Sequence, residues 1–246
     1  MNNTLLIGLS RQVALQRELD VVANNVANVA TNGFKRRGAS FAEHVIPVAR
    51  GDHMTSANRK LSFVVDQGTV LDISAGSIEK TGNPLDVAIR GNGFFSVQTA
   101  QGERYTRNGA LALGPTGDLV TMDGHPILSE QGVLNFTAAD GAISISGDGT
   151  VSTQQGVRGK LKLTRFANPQ VLENIGQNLF SSAVAGEPAG ALARVESGAL
   201  ERSNVSAVAE TARLVEISRA YSSLANLMQR GDELRRSALS RLAETI

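Results

Sequence analysis

Cysteine is absent from the 246-residue chain, which excludes disulfides, thiolate chemistry and cysteine-ligated metals. Tryptophan is absent as well, and aromatic residues make up only 4%, leaving little from which to line a glycan-binding groove. With Gly, Ala, Val and Leu dominant, the middle of the chain reads as an extended, turn-rich sheet system rather than a bulky core, because small side chains each bury little apolar area. Charge is scarce too: charged residues account for 19% and the formal net charge is +1. Long-range fields therefore have little with which to steer a partner, and the basic stripe that marks a nucleic-acid binder is missing. The one basic run beside an aromatic, Phe34-Lys35-Arg36-Arg37, reads as a solvated turn after a helix. No apolar run reaches the roughly 18 residues of a membrane span. The opening residues, with Asn2, Asn3 and Ser10 among them, carry neither a basic leader nor a cleavage site.

What is present begins with helix periodicity. Leu5, Leu6, Leu9, Val13, Leu19, Val22, Val26 and Val29 recur at helical spacings and predict a first helix roughly 40 Å long at 1.5 Å per residue. Asn24, Asn28 and Asn32 follow one another at four-residue intervals and are expected to form a stripe beside the apolar seam. Asparagine is a poor helix former, so the stripe is expected to bond to another helix or another subunit. Thr31-Asn32-Gly33 is a stop signal. A second helix is expected from Val205, through Val208, Ala212 and Val215, then after a two-residue stutter through Ile217, Tyr221, Leu224 and Met228. Ser203 or Asn204 suits its cap.

Between the helices, residues 35–60 read as a polar linker. From Leu61 the period changes to two, and turn pairs such as Asn108-Gly109, Asp123-Gly124 and Asp140-Gly141 punctuate short strands. Pro169–Ser197 has few apolar anchors and reads as a return segment. The expected fold class is mainly β with long N- and C-terminal α-helices, in which a coiled-coil-like helical pair accompanies a turn-rich antiparallel β domain. The expected division is 1–34 with 203–246 as a discontinuous helical core, 35–60 as linker and 61–198 as β domain.

Chemistry finds little support. His44, His53 and His125 fall in linker, linker and turn without zinc-site spacing. Gly91-Asn92-Gly93 precedes a strand, not the helix of a dinucleotide fingerprint. Ser146-Gly147-Asp148-Gly149-Thr150 lacks the calcium-loop pattern and reads as a hairpin turn. Asp66, Asp72, Asp86 and Glu79 are the carboxylates from which a glycosidase-like pair would have to come. No catalytic, cofactor-binding or metal residue is expected, and no enzymatic activity.

Four stretches together resemble the bacterial flagellar rod and hook protein family. They are Asn24-Asn25-Val26-Ala27-Asn28-Val29-Ala30-Thr31-Asn32-Gly33-Phe34-Lys35, Ile78-Glu79-Lys80-Thr81-Gly82-Asn83-Pro84-Leu85-Asp86-Val87-Ala88-Ile89 with Gly91-Asn92-Gly93-Phe94-Phe95, Tyr105-Thr106-Arg107-Asn108-Gly109, and Leu200-Glu201-Arg202-Ser203-Asn204-Val205. The short middle domain is similar to the proximal rod members rather than the distal rod or hook members. The resemblance implies a non-enzymatic axial subunit with no cofactor and no small-molecule substrate. It implies passage through the flagellar type III export apparatus without a cleaved signal peptide. It also implies polymerisation through the terminal helices, with itself and other rod proteins, in the basal body where the rod crosses the periplasmic space. By position, Asn24, Asn28, Thr31, Gly33 and Phe34 are signature residues of the first end, and Ser203, Asn204, Val205, Glu210 and Tyr221 those of the second. The competing reading from the residues alone is a soluble β binding module dimerised by its helices.

Overall fold

The computed structural model describes residues 2–46 and 61–243. The chain divides into two units and crosses between them four times: at Ala27/Asn28, Arg36/Arg37, Val70/Leu71 and Val205/Ser206.

The first unit contains α1 (Asn2–Ala27), α2 (Ala207–Ala243) and a two-stranded ribbon of Arg37–Ile46 and Leu61–Leu71. Glu18 pairs with Arg213 and Gln12 bonds Tyr221, so rising numbers along α1 meet falling numbers along α2. The helices are antiparallel. Their seam buries Leu15, Val22 and Ile217, with Leu19, Val26, Leu214, Tyr221 and Leu224 partly buried around them. Isolated helices take most of their stability from such a seam.

Three expectations change here. The apolar residues of each helix lie on two faces rather than one. Leu6, Leu9 and Val13 are exposed while Leu15 and Val22 are buried, and Val208 and Val215 are exposed while Ile217 is buried. The apparent stutter between Val215 and Ile217 is thus a change of face along an unbroken helix. The asparagine stripe does not form either, because α1 ends at Ala27 and Asn28 and Asn32 belong to the turn that follows. Nor do Ser203 and Asn204 cap α2; Ser206 precedes its first residue and its carbonyl takes the Glu210 N–H.

The expected linker is a strand over Arg37–Ile46, paired with Leu61–Leu71. His44 therefore sits on a strand; His53 and the rest of the expected linker, 47–60, lie outside the described residues. Correspondingly, residues 37–46 and 61–70 belong with the helices, whereas 28–34 and 203–205 belong with the β unit.

The second unit is built on a six-stranded antiparallel sheet, in spatial order Leu172–Gly176, Leu179–Ser182, Gly102–Thr106, Phe94–Thr99, Leu163–Arg165 and Glu187–Pro188. Adjacent residues point to opposite sheet faces, and both faces are covered. Phe95 and Leu179 join a large cluster with Val87, Val97, Leu119, Ile127 and Val151. Their neighbours Phe94 and Phe180 join a second cluster with Leu71 and Leu172. There the rings meet edge to face, Phe94 to Phe180 at 5.7 Å and Tyr105 to Phe166 at 4.8 Å. Small residues are not the whole core, because a few phenylalanines supply its bulk.

The return segment after Pro169 also holds more structure than expected. Ala193–Ser197 pairs with Val87–Gly91, and Ala199–Glu201 pairs with Ile78–Lys80. Ala193 and Val195 are buried in the first strand and Ala199 and Leu200 in the second, few apolar residues set among charged neighbours. The Ser146–Thr150 run is the expected hairpin turn, with Asp148 accepting from the Thr150 N–H and hydroxyl. Among the described residues no helix is long and apolar enough to cross a membrane.

The two-faced sheet predicts a sharp contrast in urea unfolding of the second unit. Phe95→Ala removes a side chain of 0% exposure and should cost about 3–5 kcal/mol. Met122→Ala, at 70% exposure, should stay within about 0.5 kcal/mol.

Candidate functional site

The four motif stretches meet in the second unit. Ile78–Lys80 pairs with Ala199–Glu201 in register, Leu200 opposite Glu79. Gly33 donates its N–H to the Glu201 carbonyl at 2.7 Å. Its φ of +67° is a left-handed value, and an added Cβ would fall 2.5 Å from the Asn108 nitrogen. Only glycine fits both the conformation and the space. This draws the segment after α1 against the Arg107-Asn108 backbone.

At the meeting point Glu201 sits between two cations. Lys35 Nζ donates to Glu201 Oε1 at 2.6 Å and to the Ser74 carbonyl at 2.7 Å. Arg107 Nε donates to Glu201 Oε2 at 2.6 Å. The rest of the Arg107 guanidinium is spent on carbonyls: Ile89 at 3.0 Å, Gly91 at 2.8 Å, and Gly93. Gly76 adds its N–H to Glu201 Oε1 at 3.0 Å. The side chains of Lys35 and Glu201 are 1% exposed and that of Arg107 4%. The basic run after the helix is therefore not solvated at Lys35, because Glu201 and the carbonyls replace the water it loses.

The charges are unequal, two positive to one negative. Burial works against ionisation of Glu201, but Arg107 and then Lys35 outweigh it and hold the carboxyl below its usual range. Burial pushes the Lys35 ammonium below its usual value; Glu201 works in the opposite sense, and Arg107 adds to the depression.

A second buried polar group lies within the first unit. Asn25, 0% exposed, accepts from the Arg37 N–H at 3.0 Å and donates to the Arg37 carbonyl at 2.8 Å. Its amide also donates to Glu210 at 3.1 Å, and Glu210 is 2% exposed. Beside it, Asn24 accepts from the Arg37 guanidinium at 2.7 Å.

The remaining signature residues are placed as follows. Asn28 accepts from the Thr31 hydroxyl at 3.1 Å, closing the turn. Phe34 is buried and its carbonyl takes the Asn204 N–H. Asn204 Oδ1 accepts from the Arg36 N–H at 2.7 Å, and its amide donates to the carbonyls of Asp72 and Ser74. Ser203 accepts from the N–H of Val205, which is buried. Tyr221 packs in the helix seam and accepts from Gln12. The signature residues of the β unit thus gather near Glu201, while Asn24, Glu210 and Tyr221 serve the helical unit.

Lys35, Arg107 and Glu201 lie inside the motifs yet outside the expected site residues, as does Asn25. For Asn25 a signal existed: it falls three and four residues after the buried Val22 and Val21, on the seam side of α1. For the charged trio the signal was weaker, a charge embedded among glycine, apolar residues and turns.

This arrangement fixes chain segments to one another. The Glu201 carboxylate and the Lys35 and Arg107 donors described above are met inside the protein. The carboxylates considered for catalysis are engaged separately: Asp66 with Arg17, Glu79 with Arg202, Asp86 with Asn83, and Asp72 with the Ser74 N–H. Among the described residues no cluster of His, Asp or Glu has a metal-binding arrangement.

Comparison with known proteins gives three family matches. "Flagella basal body rod protein" covers residues 5–35, "Flagellar hook protein FlgE/F/G D1 domain" residues 88–153, and "Flagellar basal body rod FlgEFG protein C-terminal" residues 196–241. The flagellar basal-body rod protein FlgF of Caulobacter vibrioides is 40% identical over 248 residues, covering 99% of each chain. FlgF of Mesorhizobium japonicum is 32% identical over 93% of each, and FlgG of Bacillus subtilis 32% identical over 95% of this chain and 97% of that one.

The unequal charges around Glu201 predict unequal mutants. Glu201→Gln leaves two buried cations without their anion and should cost the second unit about 3–5 kcal/mol in urea unfolding. Lys35→Met leaves a matched Glu201–Arg107 pair and should cost less. The pH dependence follows from the sign. A carboxyl whose folded pKa lies below the usual 4.5 contributes stability that is present above that value. The contribution is lost as pH falls through the folded pKa. Acid titration of stability should therefore be shallower in Glu201→Gln than in the wild-type protein.

Proposed function

Because the chain belongs to the flagellar basal-body rod protein family, we propose that it is a structural subunit of the flagellar rod, of the FlgF kind. The observation that carries this reading is the end-to-end alignment with a FlgF relative at 40% identity. The second reading is a FlgG-like position in the same rod, favoured by the 32% alignment over 95% of the chain. In either position the role is mechanical and non-catalytic. The partners are further copies and other rod proteins. The chain reaches them through the flagellar type III export apparatus, without a cleaved signal peptide, at the point where the rod crosses the periplasmic space.

The helices support a polymerising role because one apolar face is used within the unit and another is left over. Leu6, Leu9 and Val13 line one side of α1, with Val13 60% exposed. On α2, Val208 is 81% exposed and Leu227 and Leu234 are also exposed. Leu9 and Val13 border a shallow hollow of about 450 Å³ shared with Gln12, Arg17, Asp66 and Tyr221. Exposed apolar residues in such rows mark contact surfaces, and a contact that repeats without closing builds a filament. In this reading the signature residues hold the subunit together and the second helix faces join it to its neighbours.

Val13→Glu, introduced on the chromosome, should abolish motility and rod incorporation while changing the urea stability of the β unit by no more than about 0.5 kcal/mol. Leu113→Glu, an equally polar change at an exposed position of the β unit, should leave both intact. Motile Val13→Glu cells with complete rods would exclude this face as an assembly surface.

A further inference from the structure

Two of the four chain crossings leave the second unit at Arg36 and Leu71, and a third leaves at Val205. The exits at Arg36 and Leu71 adjoin the ends of the paired strands Arg37–Ile46 and Leu61–Leu71, and at those ends backbone groups are gripped by two side-chain amides. Asn204 Oδ1 accepts from the Arg36 N–H at 2.7 Å, and Asn204 Nδ2 donates to the Asp72 carbonyl at 2.9 Å and to Ser74 at 3.1 Å. Gln170 takes the Leu71 N–H at 3.1 Å and returns a bond to the Leu71 carbonyl at 3.0 Å. Asp72 and Arg36 are joined directly, N–H to carbonyl, at 2.9 Å, and Asn204 itself stands one residue before Val205. One amide therefore ties Arg36 and Asp72 to its own chain end. An amide is suited to this because it donates and accepts at once, as a peptide does; a carboxylate only accepts and an ammonium only donates.

We propose that Asn204 is the positioning residue of a clamp, completed by Gln170, that makes the exits at Arg36, Leu71 and Val205 open and close as one element. The clamp follows from the bonding alone. Its use, passing load from those three connections into the β unit as a single anchor, rests on the rod-subunit reading above. Without the clamp each exit would open separately, since the ends of secondary-structure elements open at lower free energy than the core.

The test is amide hydrogen exchange on the full-length protein. In the unaltered chain, exchange under increasing denaturant should show the Arg36 and Asp72 amides sharing one opening event, with the same free energy and the same denaturant slope. Independent openings would overturn the clamp. In Asn204→Ala both amides should exchange at least about tenfold faster, as expected for the loss of two or more hydrogen bonds, while amides of the core strand at Phe95 and Val97 keep their rates. Unchanged rates at Arg36 and Asp72, or an equal rise throughout the unit, would also overturn it. Asn204→Asp retains the acceptor for Arg36 but loses the donors. Because the Asp72 N–H is held by the Arg36 carbonyl, the Arg36 and Asp72 amides should still open together, at a rate between those of the wild-type protein and Asn204→Ala; separate openings would overturn the clamp. Exchange in the purified chain is independent of rod function. If Asn204→Ala loosens the exits but leaves motility in viscous medium at the wild-type level, the load-transmitting role is wrong and the clamp itself stands.

Discussion

One carboxylate holds the second unit closed. Glu201 is the anion shared by Lys35, from the segment after the first helix, and Arg107, just past the strand Gly102–Thr106. Each cation would be costly to bury alone, so the three segments are placed together or not at all. Around them the strand pairing of Ala199–Glu201 with Ile78–Lys80, the close approach of Gly33 and the carbonyl cage around Arg107 become consequences of one position. The second positive charge is met by backbone carbonyls around Arg107 and by the field of Asp72 at Lys35.

That closure also separates two kinds of work. The β unit pairs the buried charges of its Glu201 node internally and covers both sheet faces, leaving isolated exposed apolar residues such as Met122 and Val157. The helical unit does the reverse: its seam uses Leu15, Val22 and Ile217, and a second set of apolar residues is left exposed on each helix. A subunit that must be well defined alone and adhesive in an assembly needs both conditions. Placing them on different stretches of chain lets one vary without destabilising the other.

Much of the architecture was legible from periodicity. The helices, the change to period two after Leu61, and hairpins at Asp123-Gly124 and Ser146–Thr150 all follow from local patterns, because spacing and turn chemistry are local properties. The helix seam was legible only in part. Leu9 and Val13 continue the same spacing rule as Val22 and Val26, and spacing does not say which of two apolar faces is buried by the chain and which is left. Residues Ala193–Ser197 were missed because the strand is short and offers one large apolar anchor, Val195, between Arg194 and Glu196. The node was missed for a deeper reason: Lys35, Arg107 and Glu201 are separated by most of the chain, and a charge reads as solvent-facing until its partner is known.

The asparagines illustrate the same limit and also explain the composition. Where the chain passes between its two units its strands and helices end, and buried backbone N–H and C=O groups at those ends must still be paired. Side-chain amides solve this locally. Asn25 completes both groups of Arg37, Gln170 both groups of Leu71, and Asn178 donates to the Asn32 carbonyl. Each acts as a short piece of missing secondary structure. An amide-rich motif at a helix end is thus ambiguous from sequence, since the same chemistry that reads ligands also replaces peptide partners. What separates the two is burial: Asn25 is fully enclosed and bonded to its own chain, so its polarity serves the fold.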